Sequence, residues 1–205
     1  MNSMKNLNIR IARPDDVAHK KATAKRCRWI AGRANFPTDF WDVYQHLYGN
    51  RKNLICFARD EKWELWAYSI FQYIERAEML YVHGIIIHPD YQSTGLSKKM
   101  ILTVAEKAHP KYIMARTHNP RIYEMMSKLA EGSIYPNHNT AIPKEIMEIV
   151  RSCEGTKDAN ENMVIKNAYP DEKISQSVKD LSFCGKIFDQ IGKNDAVAVL
   201  AEFNS

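Results

Sequence analysis

Met79-Leu-Tyr-Val-His-Gly-Ile-Ile-Ile-His-Pro-Asp-Tyr-Gln-Ser-Thr-Gly-Leu-Ser-Lys-Lys-Met-Ile-Leu-Thr-Val-Ala-Glu-Lys-Ala108 holds a strand, a turn and a helix in succession. Met79 to Ile87 is apolar, β-branched and aromatic, the pattern of a buried strand. His88 to Thr94 reads as a turn, because Pro89 cannot donate to a ladder and Asp90 and Ser93 suit tight connections. From Gly95 onward Leu96, Met100, Ile101, Val104, Ala105 and Ala108 share one helix face, with Lys98, Lys99, Glu106 and Lys107 on the other. At the join, Gln92-Ser-Thr-Gly95-Leu-Ser97 puts small side chains where loop becomes helix. The first helical turn has unpaired N–H groups and a partial positive charge, so small residues let an anion reach the backbone. A junction of this kind can seat a pyrophosphate. An ordinary strand-to-helix connection has the same form.

Ile87-His-Pro-Asp-Tyr-Gln92-Ser-Thr-Gly95-Leu-Ser97 resembles the acyl-CoA-binding motif of the GNAT superfamily of N-acyltransferases. That motif is Gln/Arg-x-x-Gly-x-Gly/Ala, after a strand ending in an apolar residue, any residue and Pro. Gln92, Gly95 and Pro89 match, while Ser97 stands where Gly or Ala is usual. The resemblance implies an α/β (α+β) fold with a mixed, mostly antiparallel central sheet flanked by helices. It implies acetyl-CoA, or another acyl-CoA, with its pyrophosphate on Gln92, Ser93, Thr94, Gly95, Leu96 and Ser97. The pantetheine arm is expected in a split between the strands before and after the motif helix, against Ile85, Ile86 and Ile87. Asn119 completes the expected cofactor-binding set.

The implied activity is N-acetyl transfer to a primary amine, small molecule or peptide, by direct attack in a ternary complex. Holding the two reactants together removes up to about 7–11 kcal/mol of barrier. A base must take the ammonium proton. The central strand offers Glu78, Tyr81 and His83, of which Tyr81 and His83 share a face. His83 titrates near neutral pH and is the preferred base, against the plain alternative of a histidine hydrogen-bonded on a sheet face. For the acid, the family often has Asn-x-x-apolar-x-x-x-Tyr, with the tyrosine near the thioester sulfur. Counting from Asn119 that place is Met126, which cannot protonate a thiolate. Tyr123, near the same helix face, is the candidate substitute, or a core tyrosine. Met126 favours the rival function, a non-catalytic acyl-CoA-binding or structural protein of the same fold.

The remaining sequence sets bounds. With 205 residues, the chain is expected to form a single domain, with an extension from about residue 140 packed on the same body. No apolar run approaches ~18 residues, and Met1-Asn-Ser-Met-Lys-Asn lacks a signal-peptide core, so no membrane association is expected. Cys27, Cys56, Cys153 and Cys184 show no paired spacing and read as reduced thiols of a cytoplasmic protein, with no metal. Residues 151–205 carry 7 Lys+Arg against 9 Asp+Glu, so residues 1–150 carry 22 against 15. A basic body suits a polyanionic cofactor. The Lys/Arg blocks are too short for nucleic acid, and His19-Lys-Lys-Ala-Thr-Ala-Lys-Arg-Cys-Arg28 reads as a solvated helix face. A homodimer is left open. A dinucleotide-binding oxidoreductase lacks its Gly-x-Gly-x-x-Gly, and a metal hydrolase its ligand spacing.

In chain order, Leu7–Ala12 reads as a half-buried strand. Arg13-Pro-Asp-Asp16 opens a helix that continues from Val17 to about Ala34. Pro37–Tyr48 reads as a second helix capped by Thr38 or Asp39. Its aromatics, with Phe36, either pack in the core, the favoured option, or line a substrate pocket. Asn53–Arg59 and Lys62 to about Ile74 are strands, making three antiparallel strands before the motif. Lys111–Arg116 is a strand, and Asn119 caps a helix with Pro120 at its first position. Ile142–Cys153 has helical spacing, Met163–Ala168 and Asp195–Phe203 read as strands, and Val178–Ile191 as a helix between them.

Overall fold

A computed structural model describes residues 7–137, 140–169, 185–189 and 191–203. Contacts divide the chain into two compact units, one of Met1–Tyr73 with Val82–His109, the other of Ile74–Tyr81 with Pro110–Ser205.

In the first unit β1 (Asn8–Ala12) pairs antiparallel with β2 (Asn53–Arg59), and β2 antiparallel with β3 (Leu65–Ile74). The second half of β4 (Met79–Ile87) follows in the sheet order, with the His88 N–H donating to the Trp66 carbonyl at 2.9 Å. The helices are α1 (Lys20–Arg33), α2 (Phe40–Tyr48) and α3 (Leu96–Ala108). Ala24, Cys27 and Ile30 of α1 and Val43 and Leu47 of α2 pack with Ile55, Phe57 and Ile70 in one apolar core. The α3 face is the one its periodicity marks: Leu96, Met100, Ile101, Val104 and Ala105 are buried. Asp39 caps α2, accepting from the Asp42 N–H at 2.8 Å.

Two elements here start later than the sequence indicates. Pro14–Asp16 is an isolated 3-10 turn, closed by the Asp16 N–H on the Arg13 carbonyl and by the Arg13 N–H on Asp16 Oδ2. Val17 is extended and His19 left-handed, so α1 begins only at Lys20. β3 begins at Leu65 rather than Lys62 because the buried Asp60 organises the loop before it. Its Oδ1 accepts from the N–H groups of Lys62 and Glu64, and its Oδ2 from Trp66 Nε1.

In the second unit β5 (Tyr112–Thr117) lies next to the start of β4 in the sheet order and pairs antiparallel with β8 (Ala196–Glu202). The other edge of β8 carries β6 (Ile134–Tyr135) and β7 (Val164–Ile165), both antiparallel. Every β8 residue from Ala196 to Ala201 is buried, as a continuous apolar run requires. The helices are α4 (Pro120–Ser127), α5 (Lys144–Arg151) and the short α6 (Gly185–Phe188). Ile146, Met147 and Val150 of α5 join Met79, Tyr81, Met114, Ala198 and Leu200 in the core. The strand expected over Met163–Ala168 is only Val164–Ile165, since Met163 and Asn167 on either side are left-handed. Most of the helix expected over Val178–Ile191 lies outside the described residues. Among the described residues no helix is long and apolar enough to cross a membrane.

Candidate functional site

The β4–α3 turn is built in small steps. Gln92 Nε2 donates to the Ile87 carbonyl at 3.0 Å, tying loop to strand end. Thr94 Oγ1 donates to the Tyr91 carbonyl at 2.7 Å. Ser93 and Gly95 are both left-handed, at φ 60° and 79°, and Gly95 is the N-cap of α3. A Cβ on Gly95 would meet no atom within 4 Å, so the residue answers to its backbone angle and faces open space. No side chain caps α3, and the Lys99 N–H is bonded to the Gly95 carbonyl. Lys98 and Lys99 are exposed on this turn. The result is a positive, uncapped N-terminus of a 13-residue helix reached through an open loop.

β4 is not buried along its whole length, contrary to its composition. Met79–Val82 are buried, His83 is exposed, and Gly84–Ile87 are half-buried. Ile85, Ile86 and Ile87 each keep some surface in water, although Ile86 also packs against the first unit's core. His83 Nε2 lies 3.2 Å from Gln72 Oε1 on β3. Glu78 drops out of the strand: it is left-handed, at φ 46°, after the 3-10 turn of Glu75–Ala77. Its carbonyl accepts the Lys111 N–H at 2.7 Å. Tyr81 is buried against Gly155, and burial pushes its phenol up to about 12 despite nearby Arg116.

In the second unit, Asn119 is the N-cap of α4, its Oδ1 accepting from the Arg121 N–H at 3.0 Å, with Pro120 next. Tyr123 is 1% exposed, and its hydroxyl donates to the Pro136 carbonyl at 2.7 Å. Met126 is fully buried. That is a core position for Tyr123, with its proton already engaged. A broad cleft of about 1380 Å³ beside α5, lined by Arg76, Lys144, Glu145, Glu148 and Arg151, gathers charges of both signs and favours no one chemistry.

The aromatics of this region divide between core and surface. Trp41 is 61% and Phe36 41% exposed, while Phe40 and Tyr44 pack against the first unit's core. Cys27, Cys56 and Cys153 are free and buried, and burial raises their thiol pKa values, which leaves them poor nucleophiles. Two features escaped the sequence: the left-handed Ser93 and the aromatic bed under His88.

The chain superimposes on the ribosomal-protein-S18-alanine N-acetyltransferase of Escherichia coli with a TM-score of 0.56, over 97% of this chain and 96% of that one. The fold is that of the GNAT N-acetyltransferases. Tetrahymena GCN5 is also similar, with a TM-score of 0.54 over 97% of this chain and 96% of that chain. Sequence identities are 13% and 9%, so the likeness is of GNAT architecture. No family model and no curated protein matches the sequence. As in that fold, the sheet is mostly antiparallel and flanked by helices.

Proposed function

We propose that the protein is a cytoplasmic acyl-CoA-dependent N-acyltransferase, taking acetyl-CoA or another acyl-CoA as donor and a primary amine, small molecule or peptide, as acceptor. The observation that carries this reading is the open half of β4 running into a left-handed Gly95 at the uncapped start of α3. The pyrophosphate sits on residues 92–97, and Ile85, Ile86 and Ile87 border the pantetheine arm. Asn119 completes the proposed cofactor-binding set. His83, exposed and oriented by Gln72, takes the proton of the attacking amine. The departing thiol has an ordinary pKa near 8.5, so its release at neutral pH asks little of an acid. The test is thiol release from acetyl-CoA with a panel of amines, beside calorimetry of coenzyme A binding.

A second reading is favoured by Tyr123 and Met126: with one hydroxyl engaged in the core and a thioether in the expected place, the fold would hold acyl-CoA without turning it over. Coenzyme A binding with no amine-dependent thiol release is its signature.

A further inference from the structure

His88 lies under the β4–α3 turn and is 3% exposed. Its ring stacks on the Trp29 indole of α1, centroids 5.1 Å apart and 15° from parallel. It meets Trp66 of β3 edge-on at 5.1 Å and 78°. Arg26 covers both indoles, 4.0 Å from Trp29 and 5.3 Å from Trp66, and its Nε donates to the Leu65 carbonyl. Nδ1 of His88 accepts the Asp90 N–H at 3.3 Å. From that turn the contacts run forward: the Tyr91 N–H to the His88 carbonyl, the Gln92 N–H to the Pro89 carbonyl, and Thr94 Oγ1 to the Tyr91 carbonyl.

An imidazole nitrogen that accepts a hydrogen bond carries no proton, so the ring is neutral with its proton on Nε2. Around it, burial opposes protonation most, Arg26 and Arg33 of α1 oppose it further, and Asp90 of its own turn favours it. Asp60, on the loop before β3, is engaged by Trp66 Nε1, and Tyr91 keeps its proton because burial raises its pKa.

We propose that neutral His88, clamped between Trp29 and Trp66, is a positioning residue that shapes loop 92–97 for the pyrophosphate of an acyl-CoA, and this rests on the acyl-CoA reading above. Protonation at Nδ1 removes the acceptor of the Asp90 N–H, draws the ring to the Asp90 carboxylate 3.5 Å away instead, and places a cation beside Arg26. The turn loosens, and the anion seat loses its shape although the site has become more positive.

The experiment is calorimetry of coenzyme A binding to the full chain from pH 8 to pH 5, with wild type, His88→Asn and His88→Phe. Asn Oδ1 can accept the Asp90 N–H and does not titrate; Phe keeps the aromatic stack and loses the acceptor. The 3′-phosphate of coenzyme A titrates near pH 6, so the His88→Asn profile is the baseline. The expected result is that wild-type affinity falls about tenfold more than His88→Asn between pH 8 and pH 5, the worth of one lost hydrogen bond. At pH 8 His88→Asn binds within about threefold of wild type, and His88→Phe about tenfold more weakly. Superimposable wild-type and His88→Asn profiles overturn the inference, as does a wild-type affinity that rises toward pH 5, which would make His88 a direct cationic ligand. If His88→Phe does not fold, the pH comparison of the other two decides. Wild type that fails to bind coenzyme A at pH 8 sinks the acyl-CoA reading, and this inference with it.

Discussion

The side-chain amide of Gln92 reaches back five residues to the carbonyl of Ile87, 3.0 Å away, and closes the turn between β4 and α3. Gln92 itself is exposed, so this tie shapes the loop without belonging to the core. Gln92→Ala is expected to weaken coenzyme A binding about three- to tenfold, the worth of one hydrogen bond, with the melting temperature unchanged. Calorimetry and a thermal melt on the same preparation check both halves.

Gly95 separates two effects. Its φ of 79° makes any side chain strained, at about 1–2 kcal/mol, but the space above it is open. Gly95→Ala is therefore expected to fold with modestly reduced stability. Gly95→Glu adds a negative charge at the proposed pyrophosphate seat and should lower coenzyme A affinity by about a hundredfold or more. Unchanged affinity in the glutamate variant would return residues 92–97 to an ordinary connection.

Tyr123→Phe leaves the buried Pro136 carbonyl without its donor. The expected cost is about 1–3 kcal/mol of stability, with kcat altered less than about threefold. A loss near a hundredfold in kcat, with KM for acyl-CoA unchanged, would give this hydroxyl to the chemistry instead.

Asp195, 5% exposed, accepts from Lys166 Nζ at 2.7 Å and from the N–H groups of Gly192 and Asn167. The Lys166 hydrogen bond, with those N–H groups, holds its pKa below the ordinary value. A depressed carboxyl stabilises the fold fully above its unfolded pKa, near 4, and loses that contribution as pH falls through the folded value. Asp195→Asn should thus cost about 1–3 kcal/mol at pH 7, with the gap to wild type narrowing by pH 3. Urea midpoints at the two pH values decide; an equal gap at both would mean the charge is not the source.

Ending the chain after Asn160 removes β7 and β8, and β8 is the strand on which β5, β6 and β7 all pair. The expected product is insoluble or lacks a cooperative melt. A soluble fragment with a sharp transition would show that the C-terminal strand is an appendage.

The sequence by itself determined the local elements. β2 and β4 have the limits their composition marks, α3 buries the stripe its period predicts, and Asp39 and Asn119 cap the helices that follow them. Periodicity and caps act within a few residues, so one stretch of chain carries the whole signal. It also marked Ala196–Ala201 as a run that needs burial, but not its partners. Where a side chain's surroundings come from distant segments, only the tertiary structure decided. Composition cannot divide β4 into a buried and an open half, because that depends on which segments cover it. Trp41 and Phe36 look like core residues and stand in water, and Tyr123 looks like an acid and spends its proton on Pro136. His88 becomes legible only when α1 and β3 bring Trp29 and Trp66 to it from 59 and 22 residues away, and burial, not its own chemistry, keeps its ring neutral.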